Sequence, residues 1–382
     1  MSAVIVGAVR TPVGRKRGAL SGIHPADLSA TVLRAVVERT GIDPGVVDDV
    51  IWGCVQQVSE QAIDIARTAV LTAGWPESIP GVTVDRQCGS SQQAVNFAVA
   101  SVIAGHHDVV VAGGVESMSR VPMGSSTSVG ESPFSRSYRE RYDDVVPNQG
   151  VGAEMIAKKW GFTRGDVDSY AARSHERAAA AQDAGLLADQ IVPVTTAQGE
   201  VTTDEGIRRG TTVESLAALK PVFADDGVIH AGNASQISDG AAAVLVMSED
   251  AARRHSLEPI ARVHTAVVTG SDPVIMLTGP IPATEKALAR SGLRLGDIGV
   301  FEVNEAFATV PLAWQSEFGT DEALLNPNGG AIAFGHPLGG SGARIMTDMI
   351  FHMRRNGIRY GLQTMCEGGG QANATILELL GT

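Results

Sequence analysis

VVERTGIDPGVVDDVIWG (residues 36–53) and KALARSGLRLGDIGVFEVN (residues 286–304) spell one pattern twice. Each opens in a helical apolar period, stops at a glycine, crosses a short turn and ends in a strand-like run. Gly41 aligns with Gly292, Ile42 with Leu293, Gly45 with Gly296 and Val47 with Ile298, without a gap. A glycine just past the last periodic residue is a helix C-terminal signal. A helix–turn–strand unit written once in each half predicts a duplicated α/β fold.

Outward from the first copy, Ala3 to Val6 is a short strand closed by Gly7, and Asp27 to Arg39 is a helix with Leu28, Val32, Leu33 and Val36 on one face. Val50 and Ile51 begin a strand, Ser91 to Ala104 reads as a buried helix, and Asp108 to Ala112 (DVVVA) is a strand ending at Gly113-Gly114. Around the second copy the order returns: strand 262–268, helix 284–290, strand 300–303, helix, glycine turn, helix, strand 362–366. The expected division is a first half over 1–118, completed by about 234–258, and a second half over 259–382. Residues 119–233 form an inserted loop domain. It starts with a Ser/Gly/Pro-rich loop and the charged stretch Ser135 to Asp144, and is too long for a plain surface loop. Covering a site or mediating assembly is the role expected of it.

The chain has 382 residues and a net charge of −12, with no basic stripe for a nucleic-acid duplex. Arg208, Arg209 and Lys220 lie close enough in sequence to form a local patch for an anionic ligand. The three cysteines, Cys54, Cys88 and Cys366, are too few and too odd for a disulfide framework, so a reducing, cytoplasmic setting is expected. The opening residues read as a strand, not a leader, and no apolar run reaches the roughly 18–20 residues of a membrane span. The sequence has neither a P-loop nor a GxGxxG after the first strand. It also lacks a CxxC or HxxxH pair, which argues against nucleotide hydrolysis, dinucleotide binding and a zinc site.

Four segments carry reactive side chains. Cys88, in TVDRQCGSSQQA, sits at a strand-to-helix turn, where a helix N-terminus favours thiolate. Its bland alternative is a small core residue. His336, in NPNGGAIAFGHPLGGSGAR, is framed by glycines, a rigid setting for a general base or for a merely structural histidine. Cys366, in QTMCEGGGQ, ends an apolar strand before three glycines whose N–H groups suit an oxyanion site. Asn304, in EVNEAF, suits water positioning or a plain helix N-cap.

In this order the four segments resemble the thiolase family, from VIVGAVRTPVG at the start to the final strand. GHPLGGSGAR and NEAFA are the specific pair, while LKPVF and AGNASQISDGAAAVL resemble the segments flanking the coenzyme A site. DPVIMLTGPIPAT, with VDRQCGSSQQA and TMCEGGG, is most similar to actinobacterial thiolases of steroid-ring and related catabolism. The resemblance implies a five-layered αβαβα fold from two similar halves and a homodimer or homotetramer. It implies acyl-CoA and CoA as substrates, with no prosthetic group or metal. Cys88 then resembles the acyl-carrying nucleophile, His336 the base, and Cys366 the acid/base acting on acetyl-CoA. Asn304 resembles the holder of an oxyanion-hole water, and the N–H groups of Cys88 and Gly368 resemble the second hole. Ser235 and Phe223 look like pantetheine contacts, Phe307 like a pocket wall, and Arg208 like a contact to CoA phosphate or adenine. Three residues depart from the family pattern: Asp85 for Asn, Ser91 for Gly, and Glu367 where an apolar residue is usual. Strand alternation is expected to turn Glu367 away from Cys366. A decarboxylating ketoacyl synthase is the rival reading, but the second cysteine in CEGGG favours thiolase.

Overall fold

The computed structural model describes residues 2–381. Its first half runs β1 (Ala3–Arg10), α1 (Pro25–Thr40), β2 (Asp49–Gly53), α2 (Ile65–Thr72), β3 (Val82–Val84), α3 (Ser90–Ile103) and β4 (Val109–Ser117). The intervening segment holds α4 (Gln149–Trp160) and α5 (Arg164–Asp183) and leads into β5 (Ser238–Ser248). The second half runs β6 (Ala261–Gly270), α6 (Pro280–Ser291), β7 (Val300–Val303), α7 (Thr309–Phe318), α8 (Ser341–Asn356), β8 (Tyr360–Glu367) and β9 (Gln371–Leu379).

The repeat persists far beyond the four matched residues, at one constant spacing of 251, that of Gly41 to Gly292. Both glycines cap their helices in the left-handed region, with φ of 73° and 74°. At the same spacing β2 and β7 begin at Asp49 and Val300, α3 and α8 at Ser90 and Ser341, and β4 and β8 at Val109 and Tyr360. The strand order repeats as well. β2-β4-β5-β1 in one half answers β7-β8-β9-β6 in the other, with β3 added outside β2. The halves meet edge to edge at β1 and β6, through the single pairing of Ile5 with Ala261.

Strand periodicity builds the layers. In β1, Val4 and Val6 face α1 and α2, while Ala3 and Ile5 face α3 and α8. β4 and β5 divide likewise: Val109, Val111, Ala243 and Leu245 to one side, Val110, Ala112, Ala242 and Val244 to the other. Burial on both faces explains why these strands read as continuous apolar runs. In the second half Phe301, Val303, Leu362 and Ile376 pack with α6 and α7, while Val300, Leu377 and Leu379 join the α3/α8 layer. The result is helix, sheet, helix, sheet, helix, with α3 and α8 in the centre.

The halves differ in one connection. From β8 to β9 the chain needs only Gly368 to Gly370, whereas the corresponding path from β4 to β5 takes residues 118–237. At the centre, backbones touch. A Cβ on Gly53 would lie 2.4 Å from the Ser91 nitrogen and 2.6 Å from the Gly339 oxygen, so β2, the start of α3 and the turn before α8 close up only around a glycine. That packing brings the two central helix starts to one place. Among the described residues no helix is long and apolar enough to cross a membrane.

Candidate active site

Cys88 stands two residues before α3 in a turn that braces itself. The Asp85 carboxylate accepts the Gln87 N–H at 2.7 Å and holds Gln87 at a φ of 49°. Ser90 Oγ accepts the Arg86 N–H at 2.9 Å and donates to the Gln87 carbonyl at 2.6 Å. Both departures in this segment have structural work: Asp85 caps the turn, and Ser91 Oγ accepts the Ala343 N–H at 2.9 Å, tying α3 to α8.

The Cys88 thiol is buried at 5% exposure and packs with Leu338 of the His336 turn, Met365 of β8, Val55 and Met118. Burial, then the Glu367 charge, pushes it up to about 12. Desolvation thus outweighs the helix end that favours thiolate, and the resting thiol needs a base to activate it. Cys366 ends β8 beside it. Its thiol is also raised, first by burial and next by the charge Cys88 acquires on ionisation, so the two sulfurs sense one another. Gly368 lies against the Gln87 side chain, which brings the proposed second oxyanion donor to the nucleophile's turn.

His336 is buried, and its N–H is shared between the Gln236 carbonyl at 3.1 Å and Ser238 Oγ at 3.1 Å. Ser341 Oγ donates to the Pro337 carbonyl at 2.8 Å and so accepts from His336 Nδ1 at 2.6 Å. That places the ring proton on Nδ1 and leaves Nε2 as an acceptor. Asn304 Nδ2 donates toward it at 3.4 Å. Burial, reinforced by the Arg344 charge, lowers the imidazole to about 3, so it rests neutral with Nε2 unprotonated. Asn304 is not a helix cap. It follows β7, its N–H donates to the Thr364 carbonyl at 3.1 Å, and its side-chain oxygen is buried without a partner.

Arg208 and Ser235 line one cavity of about 470 Å³ with Arg15, Lys16, Ile207 and Gln236. Gln236 Nε2 reaches the Gly206 and Ile332 carbonyls at 2.8 Å, stapling the cavity floor to the His336 segment. The Ser235 N–H bonds the Ala306 carbonyl at 2.9 Å. The phenyl rings of Phe307 and Phe223 meet edge-on at 6.2 Å. Phe223 itself lines a second hollow of about 460 Å³ with Val151, Met155 and Lys158.

A model of the thiolase N-terminal domain matches residues 3–250, and one of the C-terminal domain matches 257–379. The chain belongs to the thiolase family. It is 51% identical to a steroid 3-ketoacyl-CoA thiolase, FadA6, of Mycobacterium tuberculosis over 99% of this chain and 94% of that protein. It is 46% identical to a 3-ketoacyl-CoA thiolase of Erwinia tasmaniensis over 98% of each. The structure of the Bacillus anthracis acetyl-CoA acetyltransferase superposes with a TM-score of 0.90 at 38% identity, covering 99% of both chains.

In this thiolase the cations beside Arg208 are not the neighbours expected from sequence. Arg209 pairs with Asp183 at 2.7 Å on the surface, and Lys220 is exposed outside the cavity. Arg15 and Lys16 arrive from the first half instead. Sequence reading also passed over Glu116. Its buried carboxylate accepts from the Val55, Gln56 and Gly339 N–H groups and from Gln61 Nε2, at 2.7–3.0 Å, and so fixes the turn after His336. The signal was its place at the end of a wholly apolar strand. Ser341 was quoted with the His336 motif but given no part, and its role appears only once His336 Nδ1 is seen upon it. Glu367 turns from Cys366, as alternation requires, but reaches no solvent: it is buried, against Gly89.

Proposed function

We propose that this thiolase cleaves 3-ketoacyl-CoA thioesters with CoA, giving acetyl-CoA and an acyl-CoA shortened by two carbons, in fatty-acid or steroid-type catabolism. The observation that carries the reading is the convergence of Cys88, Cys366 and the His336–Asn304 pair on the centre where α3 and α8 begin. The Cys88 sulfur attacks the 3-keto carbon while its proton passes to His336 Nε2. His336 and a water on Asn304 hold the resulting oxyanion. The C2–C3 bond then breaks, its electron pair passes into the acetyl-CoA enolate, and the Cys366 thiol protonates C2. CoA enters along Ser235, with Phe223 and Phe307 beside the pantetheine and Arg208, Arg15 and Lys16 near its phosphates. Before the second half-reaction the proton on His336 returns through water to the Cys366 thiolate. The CoA thiol then gives its proton to His336, its sulfur takes the acyl group from Cys88 past the N–H groups of Cys88 and Gly368, and His336 hands the proton back to the departing Cys88 sulfur. A covalent thioester between two half-reactions predicts ping-pong kinetics.

Residues 1–118 with 234–258, and 259–382, serve as the two catalytic halves, and 119–233 as the cover of the CoA site and an assembly element. Homodimer or homotetramer formation fits the outer strand β3 and the exposed Val82, Phe97 and Ile103, and light scattering on the purified chain measures it. Three unpaired cysteines suit a reducing cytoplasm. The test of the chemistry is intact mass after mixing with acetyl-CoA: wild type gains one acetyl group on Cys88, and retention of that gain in Cys88→Ala removes the assignment.

A further inference from the structure

Glu367 is a carboxyl without a role in the mechanism above. Alternation along β8 places Gln363, Met365 and Glu367 on the face toward the central helices, opposite Cys366. Gln363 meets Gln92 of α3 at 2.9 Å, Met365 meets Cys88, and Glu367 reaches the turn beneath the nucleophile. A Cβ on Gly89 would lie 2.0 Å from Glu367 Oε1, so the glycine after Cys88 leaves the space that this carboxyl fills. The side chain is fully buried, and neither oxygen has a hydrogen-bond partner among the described residues.

The repeat makes this orphaned state informative. At the 251 spacing Glu367 corresponds to Glu116, and each lies against the start of the opposite half's central helix. Glu116 receives four N–H donors there besides the Cys54 thiol, one of them the Gly339 N–H, and Gly339 is the counterpart of Cys88. Glu367 receives no well-formed hydrogen bond, only the looser approach of the Asn373 N–H from β9. One fold position thus holds a carboxylate solvated by the protein in one half and a carboxyl nearly without donors in the other, beside the reactive sulfur.

We propose that Glu367 is a positioning carboxyl that must keep its proton for Cys88 to act, so that the nucleophile's turn carries one negative charge at a time. This rests on Cys88 being the nucleophile. The charged and titratable groups around Glu367 are Asp85, Arg86 and Cys88 on the turn before α3, with Cys366 adjacent on the opposite face of its own strand and Glu116 beyond Cys88. β9 contributes the uncharged Gln371 and Asn373. Arg86 is diverted, its Nη1 donating to Gln371 Oε1 at 3.3 Å. Burial holds Glu367 up to about 8, with Arg86 opposing, so the acid form prevails at neutral pH. In weakly alkaline solution Glu367 releases its proton to solvent. The carboxylate then opposes the charge that grows on sulfur as Cys88 passes its proton to His336.

The experiment is the rate at which acetyl-CoA acetylates Cys88 in single turnovers, read by acid quench and peptide mass from about pH 6.5 to 9.5, for wild type, Glu367→Gln and Glu367→Asp. The expected ratio of Glu367→Gln to wild type is near one at the acid end and rises about tenfold by the alkaline end, one pKa unit of charge repulsion. Glu367→Asp restores the wild-type alkaline decline. A ratio independent of pH overturns the proposal. If Glu367→Gln is unfolded by circular dichroism, Glu367→Leu is measured in its place, and unfolding of both shows a structural carboxyl and overturns it too. Absence of acetyl on Cys88 in every protein would instead strike the mechanism on which it rests.

Discussion

The two halves share a scaffold position by position and share almost no chemistry. At the constant spacing, Cys88 answers Gly339, Asp85 answers His336, Val115 answers Cys366 and Gly53 answers Asn304. Even the serines that begin the central helices are used differently. Ser90 braces its own turn, whereas Ser341 orients an imidazole. On the proposed mechanism the first half supplies the sulfur that carries the acyl group, and the second supplies the groups that move protons around it. Duplication therefore built two helix starts at one centre, and function followed from filling equivalent positions with unlike residues. Where one half reacts, its counterpart is small, apolar or self-satisfied, which leaves room for the other.

That asymmetry is broken most severely by Cys88→Ala. Loss of the covalent route is expected to cut kcat by about 10⁴-fold or more, since nucleophile removal leaves only binding and oxyanion stabilisation. Turnover is read at saturating substrate. His336→Ala should follow with a loss of about 10²–10⁴-fold, the usual worth of a positioned base. Both half-reactions should slow, because the same Nε2 serves both thiols. Asn304→Ala should cost about 10–10³-fold in kcat with little change in KM, as for other oxyanion donors. A larger effect on KM would place Asn304 in ground-state binding instead.

The carboxyl pair sharpens the comparison through stability. Glu116→Gln turns an amide N–H₂ toward donors that now meet a carboxylate, and should destabilise the fold by about 1–3 kcal/mol for each donor left unmet. Glu367→Gln should do the reverse, increasingly so as pH rises. The native carboxyl is held up to about 8 against an ordinary 4.5, so the unfolded chain ionises first. Wild-type stability on this account is greatest below about pH 4.5 and is lost toward pH 8, with a limiting slope of about 1.4 kcal/mol per pH unit. Thermal unfolding of the pair at several pH values measures the slope, and parallel curves for wild type and Glu367→Gln would remove it.

Much of this architecture was legible in the sequence because its signals are local. Gly41 and Gly292 stop helices by conformation, and runs such as DVVVA announce strands covered on both faces. Motif residues fixed Cys88, His336, Cys366 and Asn304 as candidates. What could not be read depends on partners distant in the chain. Glu116 acquires its four N–H donors from two distant stretches, residues 55–61 and the Gly339 turn, and Arg15 and Lys16 meet Arg208 only through folding. The balance that keeps Cys88 a thiol at rest was illegible for the same reason. A helix start is visible in sequence, but the burial that outweighs it comes from Leu338 and Met365, hundreds of residues away.

The smallest predicted effect tests how the inserted segment holds Arg208 to the site. His175 of α5 is buried, and its Nδ1 accepts the Arg208 N–H at 3.1 Å. Burial and the Arg208 charge lower it to about 4, so it stays neutral and keeps that lone pair available at physiological pH. His175→Ala leaves the Arg208 N–H without its acceptor and frees the chain that presents the guanidinium to the cavity. The expected result is a KM for CoA raised about threefold to tenfold, about 1 kcal/mol of lost positioning, with kcat for the first acyl transfer unchanged. His175→Asn, whose side-chain oxygen is a shorter acceptor, should recover part of the affinity. A fall in kcat with constant KM would mean that α5 acts through the neighbouring Gly329 and Gly330 turn, and so on the half that carries His336.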